Sequence, residues 1–183
     1  MNEIQLLRTQ LETERAHVRA IAAACAATFA TASPAALDSS SPLEEFRQAC
    51  LDYLVCVLVW FEERDRRLAA QALPGDGADP WAALLAQAGN SRAALERLEA
   101  AFAAGANGAT RWQEFAQFID GPWSARRAAL EAALAASGHT GPWRRVSGLD
   151  ADTVLEERSR YARVTATAPA SVALPRTGGP VRP

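Results

Sequence analysis

The chain has 183 residues, of which 49% are hydrophobic and 22% are charged, and its formal net charge is −2. This length is sufficient for a hydrophobic core, and the charge balance gives no broad basic surface of the kind that binds nucleic acid or an anionic membrane. All 19 basic residues are arginine, which excludes a Schiff-base or phosphate-loop lysine, and two histidines are too few for a multi-histidine metal cage.

The location is predicted from the apolar segments and the cysteines. The longest apolar run, YLVCVLVWF at 53–61, is much shorter than the roughly 20 residues that span a bilayer. The first ten residues, MNEIQLLRTQ, contain no apolar signal core. Cys25, Cys50 and Cys56 lie on apolar helix faces, which is typical of small buried side chains in a reducing compartment. We therefore expect a cytoplasmic protein that neither spans nor binds a membrane.

Apolar residues spaced three and four apart predict a first helix over 2–31 and a second over 42–71. The second helix begins with Ser41 as its N-cap, and Glu44 closes a capping box. Its middle, at 53–61, is apolar on every side of the helix. This segment is therefore predicted to be the most buried part of the fold.

A third helix is predicted over 80–104 and a fourth over 110–136. Thr110 and Gln113 form a capping box at the start of the fourth helix. The pair Gly121-Pro122 lies inside this helix, and proline cannot donate the backbone hydrogen bond that the helix needs. We therefore expect a kink or break at that point.

The predicted fold is all-α. Short connections between four long helices favour antiparallel neighbours, and hence an up-down-up-down four-helix bundle over residues 1–137. Residues 138–163 are predicted to form a loop and a short C-terminal helix, at about 151–163, packed on the bundle. Residues 164–183 are rich in Pro, Gly and Thr and are predicted to form an extended or disordered tail.

Glu14 and His17 have the i, i+3 spacing that carboxylate-bridged metal bundles use. Such a site needs further ligands, and the sequence contains no second Glu-x-x-His. Two interpretations follow: a pair of metal ligands, or a helix-surface histidine beside a structural glutamate. His139 lies in a Gly-rich loop and receives no role.

Over about residues 5–136 the layout resembles the hemerythrin-like, HHE cation-binding, family. His17 fits the family's histidine on helix 1, and Glu62-Glu63 resembles its acidic segment on helix 2. The resemblance implies a four-helix bundle with a metal site between its helices. Other residues replace the remaining family ligands, at Leu58 and Val59 on helix 2 and at Ile119, Trp123, Arg126 and Arg127 on helix 4.

Polar residues interrupt the apolar stripes at Glu14, Arg92 and Arg126. When the helices are aligned as antiparallel rods at about 1.5 Å per residue, these three residues share one level with Glu62. Because buried charges must be paired, we predict a buried Arg–carboxylate layer of Glu14, Glu62, Arg92 and Arg126, at the place where a relative would hold metal. The alternative is that these residues lie at the stripe edges and extend their charged ends into solvent.

The sequence therefore predicts a non-enzymatic bundle of hemerythrin-like layout that has lost its metal site. It would use no catalytic residue and no cofactor, and it would bind an unknown protein or small ligand but no nucleic acid. The outward side of 53–61, with Cys56 and Val59, is a candidate homodimer seam. The alternative function is a metal-binding (iron) hemerythrin-like or carboxylate-bridged protein that uses Glu14, His17, Glu62 and Glu63.

Overall fold

The computed structural model describes residues 3–29, 41–72, 90–103, 108–136 and 151–175, together with the isolated positions 82 and 86. Within these ranges the regular secondary structure is helical and contains no strand, which confirms the all-α prediction. The elements are α1 (Glu3–Phe29), α2 (Pro42–Ala72), α3 (Ser91–Ala103), α4 (Gly108–Phe118), a π-helical turn (Ile119–Trp123), α5 (Ser124–Ala136) and α6 (Ala151–Thr167).

Helices α1 and α2 have nearly the predicted bounds. The hydroxyl of Ser41 accepts a hydrogen bond from the backbone N–H of Glu44 at 3.1 Å, which confirms Ser41 as the N-cap of α2. Both helices bury a stripe of apolar side chains at three- and four-residue spacing. No described helix is long and apolar enough to cross a membrane.

Helix α3 is the described part of the third predicted helix. The side-chain carbonyl of Asn90 accepts a hydrogen bond from the N–H of Ala93 at 2.6 Å, so Asn90 caps α3, which begins at Ser91. The predicted start at residue 80 lies outside the described residues, and so do Trp81, His139 and Trp143. The inward-facing residues of α3 are Ser91, Ala94, Leu95 and Leu98.

The fourth predicted helix consists of α4, the π-helical turn and α5. It begins at Gly108, two residues before the predicted start, so Thr110 lies inside the helix. At the predicted kink the chain continues through the π-helical turn, which contains Pro122. The carbonyl of Ile119 accepts hydrogen bonds from the N–H of Ser124 and from its hydroxyl, the latter at 2.7 Å. The wider turn tolerates the missing proline N–H, and it shifts the inward face of α5 by one position.

Helix α6 extends to Thr167, four residues beyond its predicted end, so the prediction that the tail starts at residue 164 is wrong. Val164 is fully buried, and burial of its side chain favours the additional helical turn. Beyond the helix, Ala168, Val172 and Leu174 pack partly against the core. Residues 176–183 lie outside the described ranges.

The helices surround one main core. Helix α1 packs on α4 and α5, whereas α2 packs on α3, α5 and α6. Helices α1 and α2 make few direct contacts with each other. The main core contains aromatic side chains from α1, α2, α4, the π-helical turn and α6, and a smaller apolar cluster around Leu11, Leu68 and Leu130 continues toward the other end.

We predict that Asn90→Ala lowers the free energy of unfolding by about 1 kcal/mol, because the α3 N-terminus loses its capping carbonyl. Asn90→Ser keeps a side-chain acceptor and should stay within a few tenths of a kcal/mol of the wild type. Urea melts of the three proteins measure the difference. Equal stability of Asn90→Ala and wild type would contradict the role of Asn90 as a cap.

Candidate functional site

Four buried charged side chains from three helices form what we call the ion cluster: Glu14 of α1, Arg64 and Asp65 of α2, and Arg127 of α5. Two carboxylates face two guanidinium groups, so the formal charges of the cluster cancel. Burying a charged group costs several kcal/mol unless it is paired and hydrogen-bonded. Every charge of the ion cluster has an oppositely charged partner within the cluster, at distances of 2.5 to 3.1 Å.

Glu14 lies at the centre of the ion cluster. Arg64 donates two hydrogen bonds in a forked geometry, from Nη1 to Glu14 Oε1 at 2.8 Å and from Nη2 to Glu14 Oε2 at 2.5 Å. Arg127 Nη2 donates to Glu14 Oε2 at 3.1 Å, and the Gln10 amide donates to Oε1 at 3.0 Å. Both oxygens of the Glu14 carboxylate are therefore engaged, and two arginines share one acceptor.

Asp65 and aromatic rings complete the surroundings of the two arginines. Arg127 Nη1 lies 3.1 Å from Asp65 Oδ2, and Arg64 Nη2 lies 3.4 Å from Asp65 Oδ1. The guanidinium carbons of Arg64 and Arg127 lie 4.7 Å and 5.1 Å from the centre of the Phe61 ring. Arg127 also lies 5.2 Å from the Trp123 ring. Cation–π contacts of this kind stabilise a guanidinium that water does not reach.

The pairing determines the protonation state of the ion cluster. Burial alone raises the pKa of Glu14, but the charge and hydrogen bonds of Arg64, with the charge of Arg127, outweigh burial and lower that pKa below its ordinary value. Burial likewise disfavours the charged form of Arg64, but Glu14 and Asp65 outweigh it and raise the pKa of Arg64. Glu14 and Arg64 are therefore both charged at neutral pH.

A second charged group lies beside the ion cluster. Arg126 Nη2 donates to the hydroxyl of Ser91 at 3.3 Å, and its Nη1 lies 3.9 Å from Glu62 Oε1. Glu62 Oε2 accepts the N–H of Ser91 at 3.1 Å, so a carboxylate meets the positive end of the α3 dipole. Burial lowers the pKa of Arg126, which the charge of Glu62 opposes.

The predicted polar layer therefore differs from the observed one in its members. Glu14 and Arg126 are buried, and Glu62 is partly buried. The placement of Arg92 in the layer is wrong, because its side chain is 80% exposed and pairs with Glu96 at 3.0 Å. The physical reason is that Ser91, Ala94, Leu95 and Leu98 form the inward side of α3, and Arg92, about 100° around the helix from Ser91, lies outside that side.

Three members of the ion cluster were not predicted: Arg64, Asp65 and Arg127. Arg64 does fall on the apolar stripe of the second helix, and this was the available signal. Arg127 faces inward together with Arg126 because the π-helical turn shifts the inward face of α5. Leu134, seven residues after Arg127, is buried on the same side of α5.

His17 belongs to a different group, which we call the tyrosine cluster: His17, Tyr53, Glu157 and Tyr161. Its Nδ1 lies 3.0 Å from Glu157 Oε1, and the same oxygen accepts the Tyr53 hydroxyl at 2.7 Å. The His17 ring stacks on Tyr161 with 3.7 Å between ring centres. His17 is buried, so the interpretation of it as a surface histidine is wrong.

Tyr161 links the tyrosine cluster to the C-terminal segment. Burial, with the charge of Glu157, raises the pKa of Tyr161 to about 12, so its hydroxyl is protonated at neutral pH. That hydroxyl donates to the carbonyl of Pro175 at 2.8 Å. The tyrosine cluster thus fastens α6, and the segment after it, to α1 and α2.

The residues of the predicted metal site do not converge. Glu14 binds arginines, His17 binds Glu157, Glu62 contacts Ser91 and Arg126, and Glu63 is exposed beside Arg66 and Arg67. The described residues include no group of three or more His, Cys, Asp or Glu side chains that could hold a metal ion. Leu58, Ile119 and Trp123, which occupy positions where the hemerythrin-like resemblance would place metal ligands, are buried core residues.

The thiol of Cys25 is not activated. All three are free thiols; Cys25 and Cys50 are buried, and Cys56 is half-buried. Burial, with a hydrogen bond and charge interaction from Cys50, raises the pKa of the Cys25 thiol. A thiol of raised pKa stays protonated at neutral pH and is a poor nucleophile.

An open groove of about 470 Å³ lies between α1 and α4. Its lining combines Ala23, Ala26, Ala116 and Ile119 with two glutamine amides and the ion pair of Arg19 and Asp120. None of the lining residues belongs to the ion cluster, so the groove and the ion cluster are separate features of the structure.

Comparisons with protein-family models, with curated proteins and with solved structures found no match to this chain.

We predict that Glu14→Ala lowers the free energy of unfolding by roughly 3–5 kcal/mol, because two guanidinium groups then remain buried without their shared acceptor. Arg64→Lys should also destabilise, since an ammonium group cannot reproduce the forked contact with Glu14. Denaturant melts measure both changes. The matched control is Arg92→Ala, which removes an exposed arginine and should change stability by at most about 0.5 kcal/mol.

Changing the whole ion cluster to apolar residues of similar size should cost less than Glu14→Ala alone, because no buried charge is then left unpaired. The substitutions are Glu14→Leu, Asp65→Leu, Arg64→Met and Arg127→Met. A Glu14→Ala protein as stable as wild type would show that the ion cluster contributes nothing to stability.

The lowered pKa of Glu14 makes a further prediction, on acid stability. An acid whose pKa is lower in the folded state stabilises the fold above its ordinary value of 4.5, and this contribution is lost as the pH falls through the lowered value. Burial raises the pKa of Glu131, so its effect on stability has the opposite sign. Protonation of Glu131 favours the folded state. Below pH 4.5, stability should therefore fall more steeply in wild type than in Glu14→Gln.

Denaturant melts at about pH 7, 4.5 and 3 test this difference. Glu131→Gln is the matched control, because it removes a partly buried carboxyl group with the opposite shift and should keep the steep fall below pH 4.5. Parallel curves for wild type and Glu14→Gln would contradict the lowered pKa of Glu14.

Proposed function

We propose that this chain is a non-enzymatic binding protein of hemerythrin-like layout, in which the ion cluster stands where a metal-binding relative would hold its ion. The observation that carries the proposal is the engagement of Glu14 and Asp65 by Arg64 and Arg127. A carboxylate held by two cations is a poor ligand for a third. Binding Fe²⁺ or Zn²⁺ there would bring a divalent cation beside two buried guanidinium groups.

The proposal includes an up-down-up-down arrangement of four long helical units. These units are α1, α2, the third predicted helix, of which the structure describes α3, and α4 with α5, joined through the π-helical turn. The packing of α1 on α4 and α5, and of α2 on α3 and α5, supports this arrangement. Helix α6 is then an addition to the bundle, placed on α2 and held by the tyrosine cluster.

The surface proposed for binding is the outer side of α2. We call Val55, Cys56, Val59 and Trp60 the α2 patch; Val59 is 48% and Trp60 is 38% exposed. Burial of large apolar side chains against a partner is favourable, and charged residues surround the patch. A cytoplasmic location also belongs to the proposal, and the free thiols of Cys25, Cys50 and Cys56 are consistent with a reducing compartment.

The experiment is a metal assay on protein purified without a metal-affinity tag. The protein is incubated with Fe²⁺ under anaerobic conditions, or with Zn²⁺, then dialysed and analysed by mass spectrometry for metal content. We expect far less than one ion per chain, and the same result for His17→Ala and Glu14→Gln. Stoichiometric metal that survives dialysis, and that either substitution removes, would overturn the proposal in favour of a metalloprotein.

A further inference from the structure

The α2 patch is one continuous apolar surface. Val55 and Val59 are four residues apart, as are Cys56 and Trp60, so the four side chains lie on two adjacent turns of one helix side. Val59 and Trp60 are exposed, and Val55 and Cys56 are half-buried. On the opposite side of α2, Arg64 and Asp65 belong to the ion cluster. The patch therefore faces away from the core.

Helix α6 extends the apolar surface beside the patch. Asp52 pairs with Arg163 at 3.2 Å, and Arg160 lies 5.9 Å from the Trp60 ring, so α6 runs antiparallel to α2. In this register, Leu155 lies toward the C-terminal half of α2. Leu155 is 67% exposed, more than any other large apolar side chain among the described residues.

Along α2 itself, negative side chains precede the α2 patch and positive ones follow it; within the chain, Asp52 also pairs with Arg163 of α6, and Arg66 with Glu63. Asp52 precedes Val59 by seven residues, and Arg66 follows it by seven. Seven residues are about two helical turns, so all three lie on one side of α2. Glu45 adds negative charge before the patch. After the patch, two positive side chains, Arg66 and Arg67, surround one negative side chain, Glu63, which binds both. The net charge of these three is therefore positive.

This charge distribution is self-complementary. If two copies of α2 pack antiparallel about a two-fold axis at Val59, Asp52 of each copy lies opposite Arg66 of the other. An interface around a two-fold axis uses the same surface on both subunits, so a surface that complements itself favours a second copy over an unrelated partner. A stable dimer buries roughly 800 Å² per subunit, which requires Leu155 and its surroundings in addition to the patch.

We propose that the partner is a second copy of this chain, bound through antiparallel α2 patches with Val59 on the two-fold axis. This inference rests on the proposed function as a binding protein and names its partner. Val59 of the two subunits meet at the axis, and the two Asp52–Arg66 pairs flank them.

The experiment uses sedimentation equilibrium of the full chain at about 1–100 μM. Wild type should be a dimer. Val59→Glu and Val59→Arg should each weaken the dimer by at least about 100-fold, because each substitution places two like charges opposite each other at the axis. An equimolar mixture of these two variants should restore the dimer, because opposite charges then meet. Circular dichroism and thermal melts verify that each variant folds.

The matched control is Leu6→Glu, which adds the same charge at an exposed apolar position of α1 and should leave the dimer intact. A wild-type protein that is monomeric up to about 100 μM, or a dimer that survives Val59→Glu, would overturn the inference. Failure of the mixture to restore the dimer would overturn the two-fold axis at Val59. The metal assay decides the proposed function independently, since a metal-free monomer contradicts only the dimer.

Discussion

Two buried arginines impose the main constraint on this fold. Arg64 and Arg127 cannot leave water without carboxylates at hydrogen-bond distance, and α1 supplies Glu14 while α2 supplies Asp65. This requirement fixes α1, α2 and α5 at one relative height. Since α1 and α2 make few direct contacts, the ion cluster is one of the main links between them. Apolar packing alone would tolerate a sliding of the helices more easily.

The same constraint limits the chemistry of the interior. A metal site needs ligands whose lone pairs are available, and the two carboxylates of the ion cluster already face guanidinium groups. In the tyrosine cluster, Oε1 of Glu157 likewise contacts both His17 and Tyr53. Both clusters therefore join helices through buried polar groups.

The sequence predicted the helices better than the contacts between them. Periodicity and the Ser41 cap placed α1 and α2 within a few residues, and Gly121-Pro122 marked the π-helical turn. Arg92 was misplaced because the inward side of α3 runs through Ser91, Ala94 and Leu98 and not through the predicted stripe that included Arg92. Arg127 was missed because a π-helical turn changes the phase by one residue, which a fixed period of 3.6 cannot represent.

Contacts across long stretches of chain were beyond the sequence pattern altogether. Glu157 lies 140 residues from His17 along the chain. The sequence predicted α6 only as a short helix packed on the bundle, with no contact for Glu157. Nothing in periodicity distinguishes a glutamate that faces a buried histidine from one that faces solvent. A buried histidine requires a hydrogen-bond partner for its ring nitrogen, and Glu157 of the amphipathic helix α6 is that partner here.

Helix α2 connects the interior to the proposed binding surface. Its inner side is held by Glu14 and Arg127, its flank by Glu157 through Tyr53, and its outer side carries the α2 patch. In a helix that is anchored at several points, the backbone has little conformational freedom left to lose when a partner binds. Binding to such a surface costs less conformational entropy than binding to a loop, so a few apolar side chains contribute more to affinity. The buried charges thus contribute indirectly to the proposed binding surface, because they anchor the helix that carries the α2 patch.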